Sequence, residues 1–445
     1  MPHSARGVMQ GPPPQRPPKP TAVPEETVTA IPRRGHLGPL SLAQILVAEG
    51  SLLGIVAAAT QGVIPALVTT VAAAALLFVF FARGHDRWWL EHRALTRDHR
   101  RRRSARREAE AGPVLAALRT IAPGLRIRDV HTTTTGQATR ETGTTGLSVT
   151  ATNLSTTAIG EGTTTSGDGT TTGGDEKPTG VARDEAGWFG VVALDEPGPV
   201  PLDTLIAALA ATDQPGLTLE LVTHTVPAPT PDLPPTSPAI TSYRLFGDGA
   251  PAHRESSLSV RLDAKALAES VMDHTTDPSE AARLTAALTR KLATTLRRQG
   301  IPNRVLDAGE LLATLARSCD IDVSDPYPAE VAEEWNHWRS HHLIHRTYWL
   351  ETWPESVTDM GPLLSWASAA PASQTSVALI LDATHADDIA IRALIRLSTR
   401  PDADLDALGE VLREGARRAG AELRSLDGEQ GIAAYATAPT GGGAG

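Results

Sequence analysis

Cysteine is nearly missing from this chain, and aromatic residues are scarce. Cys319 is the single cysteine among 445 residues. It excludes an internal disulfide and a thiolate metal cluster, so the bulk of the chain suits a reducing cytoplasm. Cys319 itself reads equally well as a small buried apolar residue. Aromatic residues make up 4% of the chain. They concentrate in one place, where Trp335, Trp338, Trp349 and Trp353 anchor packing. Phosphate-binding and nucleophile motifs are missing too: there is no GxxxxGK[ST], no GxGxxG and no GxSxG. No nucleophile, base and oxyanion donor can be assembled from what remains.

Charge is unevenly placed. The net charge is −10, yet residues 83–107 hold ten arginines against Asp86, Glu91 and Asp98. A basic collar therefore precedes a large acidic body, and a nucleic-acid reading would rest on the collar alone. We expect no nucleic-acid partner.

Long apolar runs are present. Residues 40–59, LSLAQILVAEGSLLGIVAAA, and 63–82, VIPALVTTVAAAALLFVFFA, are separated only by Thr60, Gln61 and Gly62. Each run is about 30 Å long as a helix, the thickness of a bilayer's hydrocarbon core. The link forces an antiparallel hairpin with an uncharged tip. Arg33 and Arg34 precede it, Arg83 and Arg87 follow it, and Trp88 and Trp89 suit the headgroup belt. Both termini are therefore expected in the cytoplasm. Glu49, with Gly50 and Gly54 as a GxxxG, marks a face for packing against another helix. Arg100, Arg101, Arg102, Arg103, Arg106 and Arg107 continue the collar, expected as a solvated face towards anionic lipid.

The chain thus parses into a disordered Pro-rich tail (1–36), a two-helix transmembrane hairpin (37–83), a basic juxtamembrane helix (84–111) and a cytoplasmic domain (112–445). A Thr/Gly low-complexity insert (131–180) interrupts that domain. No fixed period recurs, which argues against a solenoid. The body is a membrane-anchored α/β or α+β domain. Strands are expected at 187–195, 217–226, 242–248, 257–263 and 376–384. Helices are expected at 201–212, 278–299, 307–317, 387–398 and 405–420, and a closing hairpin around Asp427 and Gly428.

Two clusters invite chemistry. His337, His341, His342 and His345 lie close in sequence, but no HExxH or cysteine pair accompanies them, so packing is favoured over metal. Asp320 and Asp322 form a DxD, as do Asp402 and Asp404. This is the spacing glycosyltransferases use to hold a metal on a nucleotide sugar, and in an acidic chain it arises readily by chance. No catalytic, cofactor or metal residue is assigned.

GHLGPLSLAQ before the hairpin, the Trp/Arg collar, AGWFGVVALD, WNHWR with HRTYWLETWP, and LDGEQGIAAYATAP together resemble the EccE family. EccE is a membrane component of the actinobacterial type VII (ESX) secretion system. The resemblance runs from about residue 36 to the end, outside the insert. It implies a peripheral, non-catalytic subunit of the plasma (inner) membrane complex with EccB, EccC and EccD. It also implies a degenerate glycosyltransferase-like fold, and Trp188, Trp335, Trp338, His345 and Trp353 as signature packing residues. The alternative is a membrane-tethered glycosyltransferase using Asp320 and Asp322.

Overall fold

The computed structural model describes residues 29–30, 36–37, 40–104, 112–131, 177–264 and 278–443, less 82, 85–86, 196–197, 213, 215, 230, 234–235, 247–252, 323–330 and 386–387. Most of the Pro-rich tail and most of the Thr/Gly insert lie outside the described residues, as does Asp277, which the sequence offers as the cap of the helix beginning at 278.

Thr29–Ala30 (β1) is a short strand that joins the large sheet, and His36–Leu37 (β2) pairs with Leu40–Ser41 (β3). The first apolar run forms α1 (Leu42–Ala59) and the second α2 (Val63–Phe81). Gln61 N–H closes the turn between them onto the Ala58 carbonyl. The Gln44 side chain donates to the Phe80 carbonyl at 2.9 Å, so the start of α1 lies beside the end of α2. Of the described helices only α2 is both long and apolar enough to cross a membrane; the described part of α1 is shorter. Their outward side chains, Leu52, Leu53, Val63 and Phe78 among them, are exposed. A small ribbon of Arg83–Gly84 (β4) and Arg87–Trp88 (β5) leads into α3 (Trp89–Ser104).

The body starts with α4 (Pro113–Arg119) and the strands β6 (Arg126–Val130), β7 (Thr179–Arg183) and β8 (Gly187–Leu194). Val130 pairs with Thr179, so the insert enters and leaves the sheet at one point. Regular structure resumes at Thr179, earlier than the 187 expected from sequence. Then come α5 (Leu202–Ala210), β9 (Leu217–Val226), α6 (Pro238–Phe246), β10 (His253–Asp263), α7 (Pro278–Arg298) and β11 (Asn303–Val305). Next are α8 (Ala308–Ser318), β12 (Ala332–Glu333), β13 (Trp338–Arg339), β14 (Ile344–Thr352), α9 (Val357–Ser368) and β15 (Gln374–His385). The chain closes with β16 (Asp388–Thr399), α10 (Leu405–Arg418), β17 (Glu422–Ser425) and α11 (Gln430–Ala436).

Strand pairing reveals a duplication. β8-α5-β9-β10-α7-β11 is a βαββαβ unit, with α6 inserted, whose strands lie side by side as β11-β8-β10-β9. β14-α9-β15-β16-α10-β17 repeats it, in the order β17-β14-β16-β15. Both are the ferredoxin-like arrangement. They join edge to edge through the antiparallel pair β9 and β15, from Thr218 opposite Asp382 to Thr225 opposite Thr375. Joining the two edges removes a pair of exposed strand edges and makes one continuous sheet.

Three elements differ from the sequence expectation. Residues 242–248 are expected as a strand, yet 242–246 lie in α6. Residues 387–398 are expected as a helix, but 388–398 lie in β16, because Ile391, Ala393, Ile395 and Leu397 alternate and are buried between β14 and β15. The closing hairpin is instead β17, a turn at Asp427–Gly428 and α11. Among the described pairings only β1 on β16 is parallel. Nucleotide sites of open α/β sheets form at the carboxyl ends of parallel strands, so this ladder lends no support to a glycosyltransferase-like fold.

Helices α5, α7, α9 and α10 cover one face with a continuous apolar core running from Leu205 and Leu292 to Leu363 and Leu412. The other face carries α4, α8 and α11 over a second core that includes Leu118, Phe189, Leu315, Trp338 and Tyr435. Asp307 starts α8 with a complete capping box: its carboxylate accepts from Glu310 N–H at 2.8 Å, and Glu310 accepts from Asp307 N–H at 3.2 Å.

Candidate functional site

The basic helix α3 does not stand clear of the body. Arg102 donates from Nε to Glu333 Oε2 at 2.9 Å and from Nη2 to Glu333 Oε1 at 3.1 Å. The same Nη2 donates to the Gly428 carbonyl. Glu333 is only 10% exposed and also receives Gly431 N–H at 3.2 Å. Around this bidentate pair the Trp335 ring meets His92 and His99 edge-on, with centroids 5.0 and 5.8 Å away. Gly428 donates its N–H to the Trp335 carbonyl and has φ +82°. A Cβ there would stand 2.8 Å from the Trp335 ring, so both backbone and space require glycine.

This joint gathers residues from three stretches far apart in sequence: the collar, the tryptophan-rich segment and the closing LDGEQG turn. The expectation that Arg100 to Arg103 present one solvated face to lipid is therefore corrected at Arg102, whose guanidinium is committed to the body. Arg100 and Arg101 are exposed. The side chains of Arg83, Arg87 and Arg103, and all of Arg106 and Arg107, lie outside the described residues.

Beneath the joint, the sheet face under the C-terminus is buried yet polar. Tyr435 Oη donates to Asp184 at 2.9 Å, and Asp184 takes both guanidinium nitrogens of Arg261. Arg261 Nε donates to the Thr440 carbonyl at 2.6 Å. Gly441, Gly442 and Gly443 follow with φ of +78°, +86° and +69°. This left-handed turn aims the N–H groups of Thr440, Gly441 and Gly442 at Glu220 Oε2, at 2.9, 2.6 and 3.0 Å. Successive N–H groups converging on an anion form a nest. Ser259 adds a fourth donor at 3.1 Å, while Oε1 has no partner. Burial pushes the Glu220 carboxyl up to about 7, against the pull of those donors. On the neighbouring repeat, buried Arg396 donates to the carbonyls of Ser318 and Ala434 and to Ser376. His224 bridges Ser376 and Ser318, and burial, with Arg396 nearby, lowers its pKa to about 3. Cys319 is fully buried here and its thiol is raised to about 11, which makes it inert. The network locks the C-terminal segment onto the sheet. Sequence reading missed it, although the glycine run after a small-residue helix is a usable signal for a left-handed turn.

The chemical candidates are taken up by structure. Asp320, at φ 46°, accepts from Ser340 Oγ and from the N–H groups of His342 and Leu343 at 2.8 and 2.9 Å. It holds the β13–β14 turn. Asp404 caps α10 through Ala407 N–H, and Asp402 pairs with Arg400. His345 is 1% exposed with its two ring nitrogens on Ser398 and Ser340, and burial keeps it well below the usual imidazole range. His337 contacts Asn336. Asp322, His341 and His342, by contrast, come together.

Of the signature tryptophans, Trp338 is fully buried with His345 stacked at 4.9 Å. Trp188 is buried between Arg128 and Arg183, and Trp353 packs on the first core. In α1, Gly54 faces α2, with Thr69 Cγ2 at 3.7 Å from where its Cβ would be. Glu49 and Gly50 are exposed.

Residues 250–350 match the family described as "Putative type VII ESX secretion system translocon, EccE", which bears out the resemblance read from the sequence. No curated protein matches the chain. The matched stretch contains Glu333 and Trp335 of the joint, while Gly428 lies outside it.

Proposed function

We propose, with the EccE match as premise, that this component of a type VII secretion translocon is a non-catalytic structural subunit at the periphery of its inner-membrane complex. In this reading α1 and α2 are a membrane hairpin, and both termini and the duplicated sheet domain are cytoplasmic. Arginines outside both far ends of the hairpin support that orientation. α3 is the strut that fixes the sheet domain to the hairpin. Exposed Arg100 is available to anionic headgroups, worth roughly 1 kcal/mol per basic residue near the surface. EccB, EccC and EccD are the partners that the family supplies.

The observation that carries the reading is the bidentate Arg102–Glu333 pair, with Arg102 also bonded to the Gly428 carbonyl. It spends an arginine of the collar on rigidity between membrane helices and body, which a scaffold needs and a tethered enzyme does not. Asp320, one of the two aspartates that the enzyme reading would place on a metal with Asp322, holds a turn instead.

The test is Arg102→Glu and Glu333→Arg, singly and combined, in the intact membrane. Blue-native electrophoresis and a secretion assay are the readouts. Each single change should release the chain from the complex and reduce secretion, and the swapped pair should restore part of both. Normal assembly and secretion in both single variants, or saturable binding of a nucleotide sugar with Mn²⁺ by the wild-type chain, would overturn the scaffold reading.

A further inference from the structure

We infer that Asp322, His341 and His342 form a binding site for a divalent transition ion of the Zn²⁺ class, clipping the end of α8 to the β13–β14 turn. One ligand atom from each of the three residues lies within 4.8 Å of the others. Two imidazoles and one carboxylate are the donor set that suits Zn²⁺ and its neighbours, and exclude the all-oxygen preference of Mg²⁺ and Ca²⁺. Around a tetrahedral ion at about 2.1 Å, ligand atoms stand roughly 3.4 Å apart. The ligand atoms therefore need to approach one another by at most about 1.4 Å to close the site.

The backbone is held on both sides. Asp320 O accepts His341 N–H at 3.2 Å, and Asp320 Oδ2 accepts the next two N–H groups along the turn. Ser340, beside them, bonds both Asp320 and buried His345. On the other arm, Ile321 is buried and its N–H is bound to the Ala316 carbonyl at 2.8 Å, which fixes where Asp322 departs. Asp320 sits in the left-handed region that non-glycine residues seldom occupy, and four hydrogen bonds keep it there. Such over-determination gives the site a rigid frame.

Asp320 contributes once more. Its Oδ1 lies 3.3 Å from His342 Nδ1. A carboxylate behind a ligating histidine fixes the tautomer and raises the basicity of the other nitrogen, as behind most metal-bound imidazoles. The DxD thus divides its labour: Asp322 ligates and Asp320 orients. His341 and Asp322 are half-buried and His342 is exposed, so an ion reaches the site from solvent. Three protein ligands leave a fourth position for water. The adjacent rings of His341 and His342 meet edge-on, with centroids 4.3 Å apart.

The test uses the full chain in detergent, purified with a tag free of histidine. Co²⁺ is titrated while visible absorption is followed, then displaced with Zn²⁺. Saturation near one ion per chain is expected. His342→Ala leaves the turn's backbone bonds in place and should weaken binding at least tenfold. Asp322→Asn should do likewise, and Asp320→Asn should weaken it about 10–100-fold. His337→Ala, outside the cluster, should bind as wild type does. Zn²⁺ should raise the melting temperature of the wild-type chain and leave His342→Ala unmoved. Equal Co²⁺ binding by the wild type and a His341→Ala/His342→Ala double variant would overturn the proposal, as would equal loss in His337→Ala.

Discussion

Glu220 should make the body less stable as pH rises through neutrality, and Glu220→Gln should abolish that trend. The carboxyl is fully buried beneath the C-terminal turn and lies at about 7, against an ordinary 4.5. Between those values the unfolded chain has released this proton and the folded chain still holds it. Unfolding therefore releases a proton in this window, and stability falls as pH rises through it. Below the lower value both states are protonated and nothing is lost; above the upper one the loss is complete and constant. A shift of about 2.5 units at 1.36 kcal/mol each corresponds to about 3 kcal/mol in all. Glutamine keeps the shape and an acceptor for the N–H nest but cannot ionise. The assay is the melting temperature of full chains in detergent at pH 4.5, 6 and 8, read as wild type minus Glu220→Gln so that other titrations cancel. At about 2–4 °C per kcal/mol for domains of this size, the difference should fall by roughly 6–12 °C from the lowest pH to the highest. A difference independent of pH would refute the reasoning. One that grows with pH would show that the four donors hold the carboxylate charged.

Two further outcomes follow from packing. Arg102→Met leaves Glu333 buried with only part of its partners, which for charge-assisted bonds at a half-buried site loses about 2–3 kcal/mol; hydrogen exchange across α3 should speed up roughly 30- to 150-fold, Arg100→Met should not change it, and equal exchange in the two variants would dismiss the joint. Trp338→Ala empties a fully buried site at about 3–5 kcal/mol, so the amount of extractable chain in membranes should fall sharply; normal abundance with an unchanged melting temperature would show that the ring does not anchor the second core.

Much of the local structure was written in the order of residues. The two apolar runs set α1 and α2 because their length and near-absence of charge, Glu49 excepted, leave few alternatives. Asp307 with Glu310 announced the capping box of α8. Alternating leucines at 217, 219 and 221 announced β9, and the leucine spacing of 284 to 296 announced α7. These signals are short-range: each depends on neighbours within one or two turns of chain. Where a segment carried two periods at once, the sequence was ambiguous. Residues 387–398 fit a helical face and an alternating strand alike, and only the slot between β14 and β15 selected the strand.

The functional geometry was decided by tertiary structure. The collar's charge was plain from composition, but that Arg102 turns inward depends on Glu333 and the Gly428 turn, more than 200 residues away. The histidines were visible as a cluster, yet the fold sends His345 into the core and brings His341 and His342 to Asp322 instead. The duplicated βαββαβ unit leaves no repeat legible in the residues, because strand order is a property of hydrogen-bonded pairing across the sheet. Composition and periodicity fix what each segment can form. Which distant charges, rings and glycines meet is settled only when burial leaves each polar group one partner within reach.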